Sequence, residues 1–248
     1  MKRLPKRVIW QVFLRSFAIQ GSWNYRTLQG SGFAYALMPV LRWVHGDGER
    51  LQQAVVRHTG VFNAHPYLSG IALGAVARME LDGEDPALID RFKAALRGSL
   101  GTLGDRIVWA GWRPACVLLG IVVLMTTHSA AAGVLSFLLV YNIGHLALRW
   151  WALRIGFDGG RHVGERLRTA PLTRWHELVV TTAAFLLGSA LPLIAAGELT
   201  ENRLPARWLL LPALAAIIGW FAGTSARVPA LILLAVVAIA GFLAHVIP

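Results

Sequence analysis

The strongest constraint on this chain lies beyond Pro114, where apolar runs become long enough to cross a bilayer. Residues 115–127 continue, past a His128-Ser129 interruption, into residues 130–151, which predicts a helical hairpin or two spans. Residues 177–196, 208–224 and 229–246 predict three better-defined spans. A helix rises about 1.5 Å per residue, so roughly 20 apolar residues are needed to cross the hydrocarbon layer. Composition points the same way. The 248-residue chain is 56% hydrophobic and only 15% charged, with a mean hydropathy of +0.54. An average soluble domain carries about 25% charged residues. With so little polar surface, the chain needs lipid as part of its solvent.

The first half is unlike the second. Its apolar segments, residues 32–44 and 67–79, are each too short to span, and they suit surface helices or re-entrant hairpins. His45-Gly46-Asp47-Gly48 predicts a turn, residues 51–60 an amphipathic helix with Arg50 and Arg57 on its polar side, and Pro86 the start of another helix. At the N-terminus, Lys2, Arg3, Lys6 and Arg7 precede apolar residues, but Gln11, Arg15 and Gln20 break the stretch and no small-residue cleavage site follows, so removal is not expected. Ile9, Val12, Phe13 and Phe17 share one helical face. Two readings fit that face: a basic amphipathic helix lying on the membrane, or a helix packed on its neighbours. The expected fold is an all-α integral membrane protein, with an amphipathic and re-entrant helical region at 1–113 and a transmembrane helical region at 114–248.

The chain carries 24 Lys and Arg against 13 Asp and Glu, a formal net charge of +11. Such a balance suits nucleic acid or anionic lipid. The arginines sit mostly in short loops and at the ends of apolar runs, which favours orientation in a membrane and no nucleic-acid partner. Residues 154–174 hold five arginines against Asp158 and Glu165, residues 197–207 are balanced, and the last turn holds Arg227. The positive-inside rule places the first and third of these loops in the cytoplasm and the second outside. The single cysteine, Cys116, lies in an apolar run, so no internal disulfide or cysteine-based metal site is expected.

Four short motifs carry chemistry. In Phe62-Asn63-Ala64-His65-Pro66-Tyr67, Asn63 offers both a donor and an acceptor to a pair of sugar hydroxyls, and Phe62 and Tyr67 suit the apolar face of a sugar ring. Pro66 biases His65 towards an extended backbone, leaving groups free to bind a polar ligand; a capped proline turn fits the same residues. Gly98-Ser99-Leu100-Gly101-Thr102-Leu103-Gly104-Asp105 predicts a glycine-rich turn ending in an acid that either meets a substrate hydroxyl or pairs with Arg106 or Arg113. It lacks the Lys-Ser or Lys-Thr of a nucleotide loop. His145 and Arg149 lie four apart on one helical face, with Asn142 one turn earlier; contact to a partner subunit and snorkelling of Arg149 to the interface both fit. Gly21-Ser22-Trp23-Asn24-Tyr25 reads as an interfacial turn. Enzyme machinery is not in view: there is no Gly-x-Ser-x-Gly, no His-Glu-x-x-His and no clustered metal ligands, and His58 and His65 have no neighbouring acid in sequence. No catalytic residue, metal or cofactor is expected.

Taken in order, these motifs resemble the IID membrane subunit of the mannose/fructose/sorbose phosphotransferase family. The carrying residues are Phe13-Leu14-Arg15-Ser16, Gln20-Gly21-Ser22-Trp23-Asn24-Tyr25, Arg57-His58, Phe62-Asn63-x-His65-Pro66-Tyr67, Gly104-Asp105-x-Ile107-x-Trp109, Arg113-Pro114, and Asn142 with Arg149. The resemblance implies a multi-pass protein of the bacterial cytoplasmic (inner) membrane that pairs with a IIC membrane subunit, as a trimer of IIC–IID heterodimers. It also implies a hexose path through the pair, and soluble IIA and IIB phosphocarriers that phosphorylate the arriving sugar. By the same resemblance Phe62, Asn63, His65, Pro66, Gly104 and Asp105 are expected beside the sugar pocket. Where the family has Gly-Asp-Pro, this chain has Gly104-Asp105-Arg106. That departure keeps a second expectation alive: a regulatory or scaffolding IID-like protein that does not transport.

Overall fold

The structure is a computed structural model, and it describes residues 4–202. The predicted spans at 208–224 and 229–246 lie outside these residues. The described chain is helical throughout, without a strand among the described residues. In order it forms α1 (Lys6–Ser16), α2 (Gly30–His45), α3 (Glu49–His58), α4 (Ser69–Asp82), α5 (Pro86–Gly104), a π-helix (Asp105–Trp112), α6 (Arg113–Thr127), α7 (Ala130–Gly159), a 3-10 turn (Gly160–His162), α8 (Val163–Thr169) and α9 (Leu172–Asn202).

Two compact units emerge, and no single cut of the chain separates them. The first comprises Met1–Arg106 and Ile143–Leu172. Its centre is α4. Ile71, Ala72, Leu73, Ala75 and Val76 are fully buried, and only Arg78 and the terminal Asp82 among its residues are not buried. A helix covered on most sides is mostly apolar all round, which is why its sequence shows so little amphipathic pattern. Helices α1, α2 and α5 and the 3-10 turn pack around it. The core around it includes Phe33, Leu37, Val40 and Leu41 of α2, with Phe62 and Leu68 from the connecting segments.

Helix α7 lies closer to α4 than side chains would permit. A Cβ added at Gly74 would strike the backbone of Leu153 and Phe157, and one at Gly156 would strike the Ile71 carbonyl. Gly70 and Gly74 of α4 thus meet Ala152 and Gly156 of α7 in two small-residue stripes, each with a spacing of four. Small residues at that spacing are the usual means by which membrane helices bring their backbones together.

The connection from α1 to α2 is tied to the motif before α4. Asn24 Oδ1 accepts from the backbone N–H groups of Arg26 (3.0 Å) and Thr27 (2.9 Å). This side-chain turn sets up isolated bridges from Leu28 to Asn24 and to Phe62. Gln29 completes the tie. Its side-chain amide donates to the Ala64 carbonyl at 2.8 Å and accepts from the Ala64 N–H at 3.2 Å. Trp23 and Tyr25 stand out from the turn, Tyr25 almost fully exposed.

The second unit begins with Ile107–Asn142 and resumes at Thr173. Here the predicted break at His128-Ser129 is present: α6 ends at Thr127 on a left-handed His128 (φ 53°), and α7 starts at Ala130. Gly120 and Gly133 let the two arms approach closely. Among the described residues two helical runs are long and apolar enough to cross a membrane, Pro86–Thr127 and Ala130–Thr169. Along α7, Val134, Leu135, Leu138 and Leu139 are exposed. An apolar stripe left open to this extent marks a surface that lipid or another subunit covers.

One sequence expectation is overturned. Residues 98–105 are not a turn: α5 runs unbroken from Pro86 to Gly104 and passes directly into the π-helix. Its start at Pro86 is as expected, and Asp85 is found as the N-cap, accepting from the Ala87 N–H at 3.4 Å.

Candidate functional site

The first unit gathers most of the singled-out polar residues at one place. His65 precedes Pro66 in the link to α4 and is buried, 2% exposed. The C-terminal end of α5 rests on it, and a Cβ on Gly104 would strike Cβ and Cγ of His65. Gly104 is therefore a contact residue: it lets helix backbone lie directly against the His65 side chain. Asp105, the next residue, is exposed. Asn63, two residues before His65, is exposed as well.

The Tyr67 N–H donates to His65 Nδ1 at 3.2 Å, so the ring proton belongs on Nε2. Burial pushes the His65 pKa down to about 4; the Asp105 carboxylate opposes that shift and Arg149 adds to it. His65 is thus a neutral imidazole over the physiological range, able to donate a hydrogen bond through Nε2.

Tyr67 joins this group to α7. Its ring stacks on His145 with centroids 4.1 Å apart, and it meets His65 edge-on at 5.1 Å. Arg149 lies over the Tyr67 ring at 5.0 Å and over Phe17 at 4.7 Å. Its Nε donates to His145 Nε2 at 2.7 Å, and Nη1 to the Ser16 carbonyl at 3.0 Å. The snorkelling expectation for Arg149 is therefore wrong. Arg149 is 7% exposed, and its guanidinium clamps the end of α1 to α7 between two aromatic faces. A lysine cannot reproduce that planar fork. Arg149→Lys is expected to lower stability by about 1–2 kcal/mol, read as the thermal unfolding midpoint of the detergent-solubilised chain; an unchanged midpoint would show the stack to be idle.

The remaining site expectations are distributed as follows. Phe62 is fully buried, its ring 4.5 Å from that of Phe33, so it supports the motif from below. Pro66 is half-buried, and its carbonyl accepts from Ser69 Oγ at 2.9 Å at the start of α4. Asp105 forms no ion pair among the described residues. The neutral His65, the exposed amide of Asn63 and the exposed carboxylate of Asp105 together offer donors and acceptors near an aromatic pair. Hydroxyl groups need that chemistry, and no nucleophile is required for it.

Sequence reasoning missed a second polar cluster. Glu80 of α4, only 3% exposed, accepts hydrogen bonds from His45 at 2.8 Å, from His58 at 2.8 Å and from Arg57. Lys93 of α5 donates to the Arg57 carbonyl at 3.1 Å. Arg57, expected on the polar side of its helix, turns inward to Glu80. His58, which has no acid near it in sequence, has one in space. The one signal in the sequence was an acid, Glu80, inside an otherwise apolar stretch.

Residues 3–194 match the family described as PTS system mannose/fructose/sorbose family IID component. The fructose permease IID component of Bacillus subtilis is 29% identical over 193 residues, covering 76% of this chain and 70% of that protein. The mannose-specific EIID component of Escherichia coli K12 is 30% identical over 194 residues, covering 76% and 68%. Among solved structures, the chain resembles one in the cryo-EM complex of the mannose transporter ManYZ with microcin E492, at a TM-score of 0.61 and 25% identity, covering 98% of this chain and 97% of that one. A structure described only as a membrane protein shares the fold at a TM-score of 0.65 and 22% identity. Motif order, helical architecture and matched length agree, and this chain belongs to the IID components of mannose/fructose/sorbose-family phosphotransferase permeases, proteins of the membrane.

Proposed function

We propose that this chain forms, with a IIC partner, the membrane path through which a hexose is taken up and phosphorylated by IIB, IIA supplying the phosphate. The pair assembles as a trimer of heterodimers in the bacterial inner membrane, with the short helices of the first half at or within the bilayer surface. One observation carries the reading: the 63–67 turn and the end of α5 meet at His65 and Gly104, setting Asn63 and Asp105 beside a neutral imidazole and the Tyr67–His145 stack. In that arrangement Asn63, His65 and Asp105 line the sugar path, while Phe62, Pro66 and Gly104 hold the backbone that carries them. The chain contributes no phosphorylated residue; trapping of the sugar is the work of IIB.

The test is uptake of labelled hexose in a transport-null host expressing this chain with its cognate IIC, IIA and IIB proteins. Accumulation above the host background is expected. Asn63→Ala, at an exposed position, is expected to lower uptake about three- to tenfold, the cost of a lost hydrogen bond of about 1 kcal/mol, with membrane insertion unchanged. A fully assembled complex that accumulates no sugar would exclude transport and favour the scaffolding expectation.

A further inference from the structure

Helices α1 and α2 enclose an open groove of about 410 Å³ on the first unit, away from the residues assigned to the sugar path. Arg7, Gln11 and Arg15 line one wall at a spacing of four, so they form a single polar stripe along α1. Arg42 and Trp43 of α2 form the other wall, and among the described residues no Asp or Glu lines the groove. Among the described residues none of the three arginines is ion-paired.

The position of Arg15 is built, not incidental. Pro39 lies inside α2 and has no N–H, so the carbonyl of Tyr35, one turn earlier, loses its helical partner. Arg15 Nη1 donates to that carbonyl at 3.3 Å, and its guanidinium lies 4.8 Å from the centre of the Tyr35 ring. One edge of the guanidinium is thus fixed on α2, and its remaining N–H groups stay available. Arg7 and Arg42 are exposed and oppose each other across the groove. Three guanidinium groups facing a shared space without a carboxylate need an anion, and their planar forks suit phosphate oxygens.

The surroundings of the groove indicate where the phosphate comes from. Val8, Met38 and Pro39 give it an apolar floor. Trp43 at its rim is 55% exposed, and the adjoining face of α1 exposes Trp10, Leu14 and Phe17. Exposed tryptophan and phenylalanine beside a basic stripe belong to the water–lipid boundary, where headgroup phosphates and acyl chains meet. A free phosphate ion has no use for the apolar floor. We infer that the α1–α2 groove is a binding site for an anionic glycerophospholipid, its headgroup phosphate held by Arg7, Arg15 and Arg42 and its glycerol end lying on Val8 and Met38.

The experiment uses the full chain in detergent and reads bound lipid by native mass spectrometry, with phosphatidylglycerol, phosphatidylcholine and inorganic phosphate as probes. Retention of phosphatidylglycerol at least fivefold above phosphatidylcholine is expected, with millimolar inorganic phosphate displacing little of it. The double variant R7Q/R42Q, at exposed positions where folding is undisturbed, is expected to cut retention about tenfold; R50Q/R91Q, exposed arginines outside the groove, is expected to leave it unchanged. Equal retention of the two lipids, an equal loss in both double variants, or full displacement by inorganic phosphate would each overturn the assignment. Because binding is read instead of uptake, failure here is distinguishable from failure of the transport reading.

Discussion

Glu80→Ala is expected to destabilise the protein by about 3–5 kcal/mol, the usual cost of removing one member of a buried, hydrogen-bonded charge group. Three partners lose their acceptor at once. His58 is fully buried and Arg57 largely so, and neither has water to turn to. The cluster links four elements, since His45 ends α2, Arg57 and His58 end α3, Glu80 sits in α4, and Lys93 of α5 holds the Arg57 carbonyl. Glu80→Gln keeps the shape and part of the hydrogen bonding, and a smaller loss is expected. The measurement is the thermal midpoint of the solubilised chain; a fall of roughly 6–20 °C is expected for alanine, and a fall under about 2 °C would show that the cluster does not hold the helices together.

The same cluster fixes the direction of the pH dependence. Burial alone would raise the Glu80 carboxyl, but hydrogen bonds from His58, Arg57 and His45 outweigh it and hold the pKa at about 2, below the ordinary 4.5. A depressed carboxyl pKa gives stability that is complete above 4.5 and lost as pH falls towards 2. Burial, aided by Lys93 and Arg57, pushes His58 below its ordinary 6.5 against the pull of Glu80. The unfolded chain then takes up a proton near 6.5 that the folded chain refuses, so stability already falls as pH drops below that value. His65, pushed down to about 4, acts in the same sense. The midpoint is therefore expected to decline from pH 6.5 downwards, and His58→Gln, which cannot protonate, is expected to flatten the upper part of that slope.

What was legible in the sequence is what local chemistry dictates. The break at His128-Ser129, the turn at residues 45–48 and the Asp85-Pro86 helix start each follow from residues adjacent in the chain. The glycine-rich stretch at 98–105 misled because glycine both permits turns and permits contact. Gly104 serves contact, with the root of the His65 side chain where its Cβ would stand, and the helix runs on through it. Gly98 and Gly101 meet nothing within 4 Å, and nothing in the structure explains them. Of the site, the 62–67 motif was found because its residues are contiguous. The partners of Glu80 lie 22, 23 and 35 residues away, and the anchor of Arg149 at Ser16 lies 133 residues away. No periodicity reports pairings over such distances. They exist because α4, buried along nearly its whole length, draws helices from distant parts of the chain around it.

That packing makes the second large effect predictable. Gly156→Val is expected to cost about 3 kcal/mol or more, the upper end of what overpacking a close contact costs. The obstruction is backbone: the new Cβ would meet the Ile71 carbonyl group, with the Ala75 nitrogen only 3.0 Å away. Helix α4 cannot retreat, because its other sides are already packed against α1, α2 and α5. Helix α7 would have to move instead, and it carries His145 and Arg149 with it. A second consequence follows from that linkage. The stack of Tyr67 on His145 depends on the same helix separation, so Gly156→Val is expected to abolish hexose uptake even in cells grown cold enough for the protein to accumulate. Gly164→Ala is the matched control: it adds a methyl group to the neighbouring helix α8 at a position with nothing within 4 Å, and it is expected to leave both stability and uptake intact. Near-normal uptake by Gly156→Val would mean that α4 and α7 tolerate a wider separation, and that the position of His145 over Tyr67 is not what the path requires.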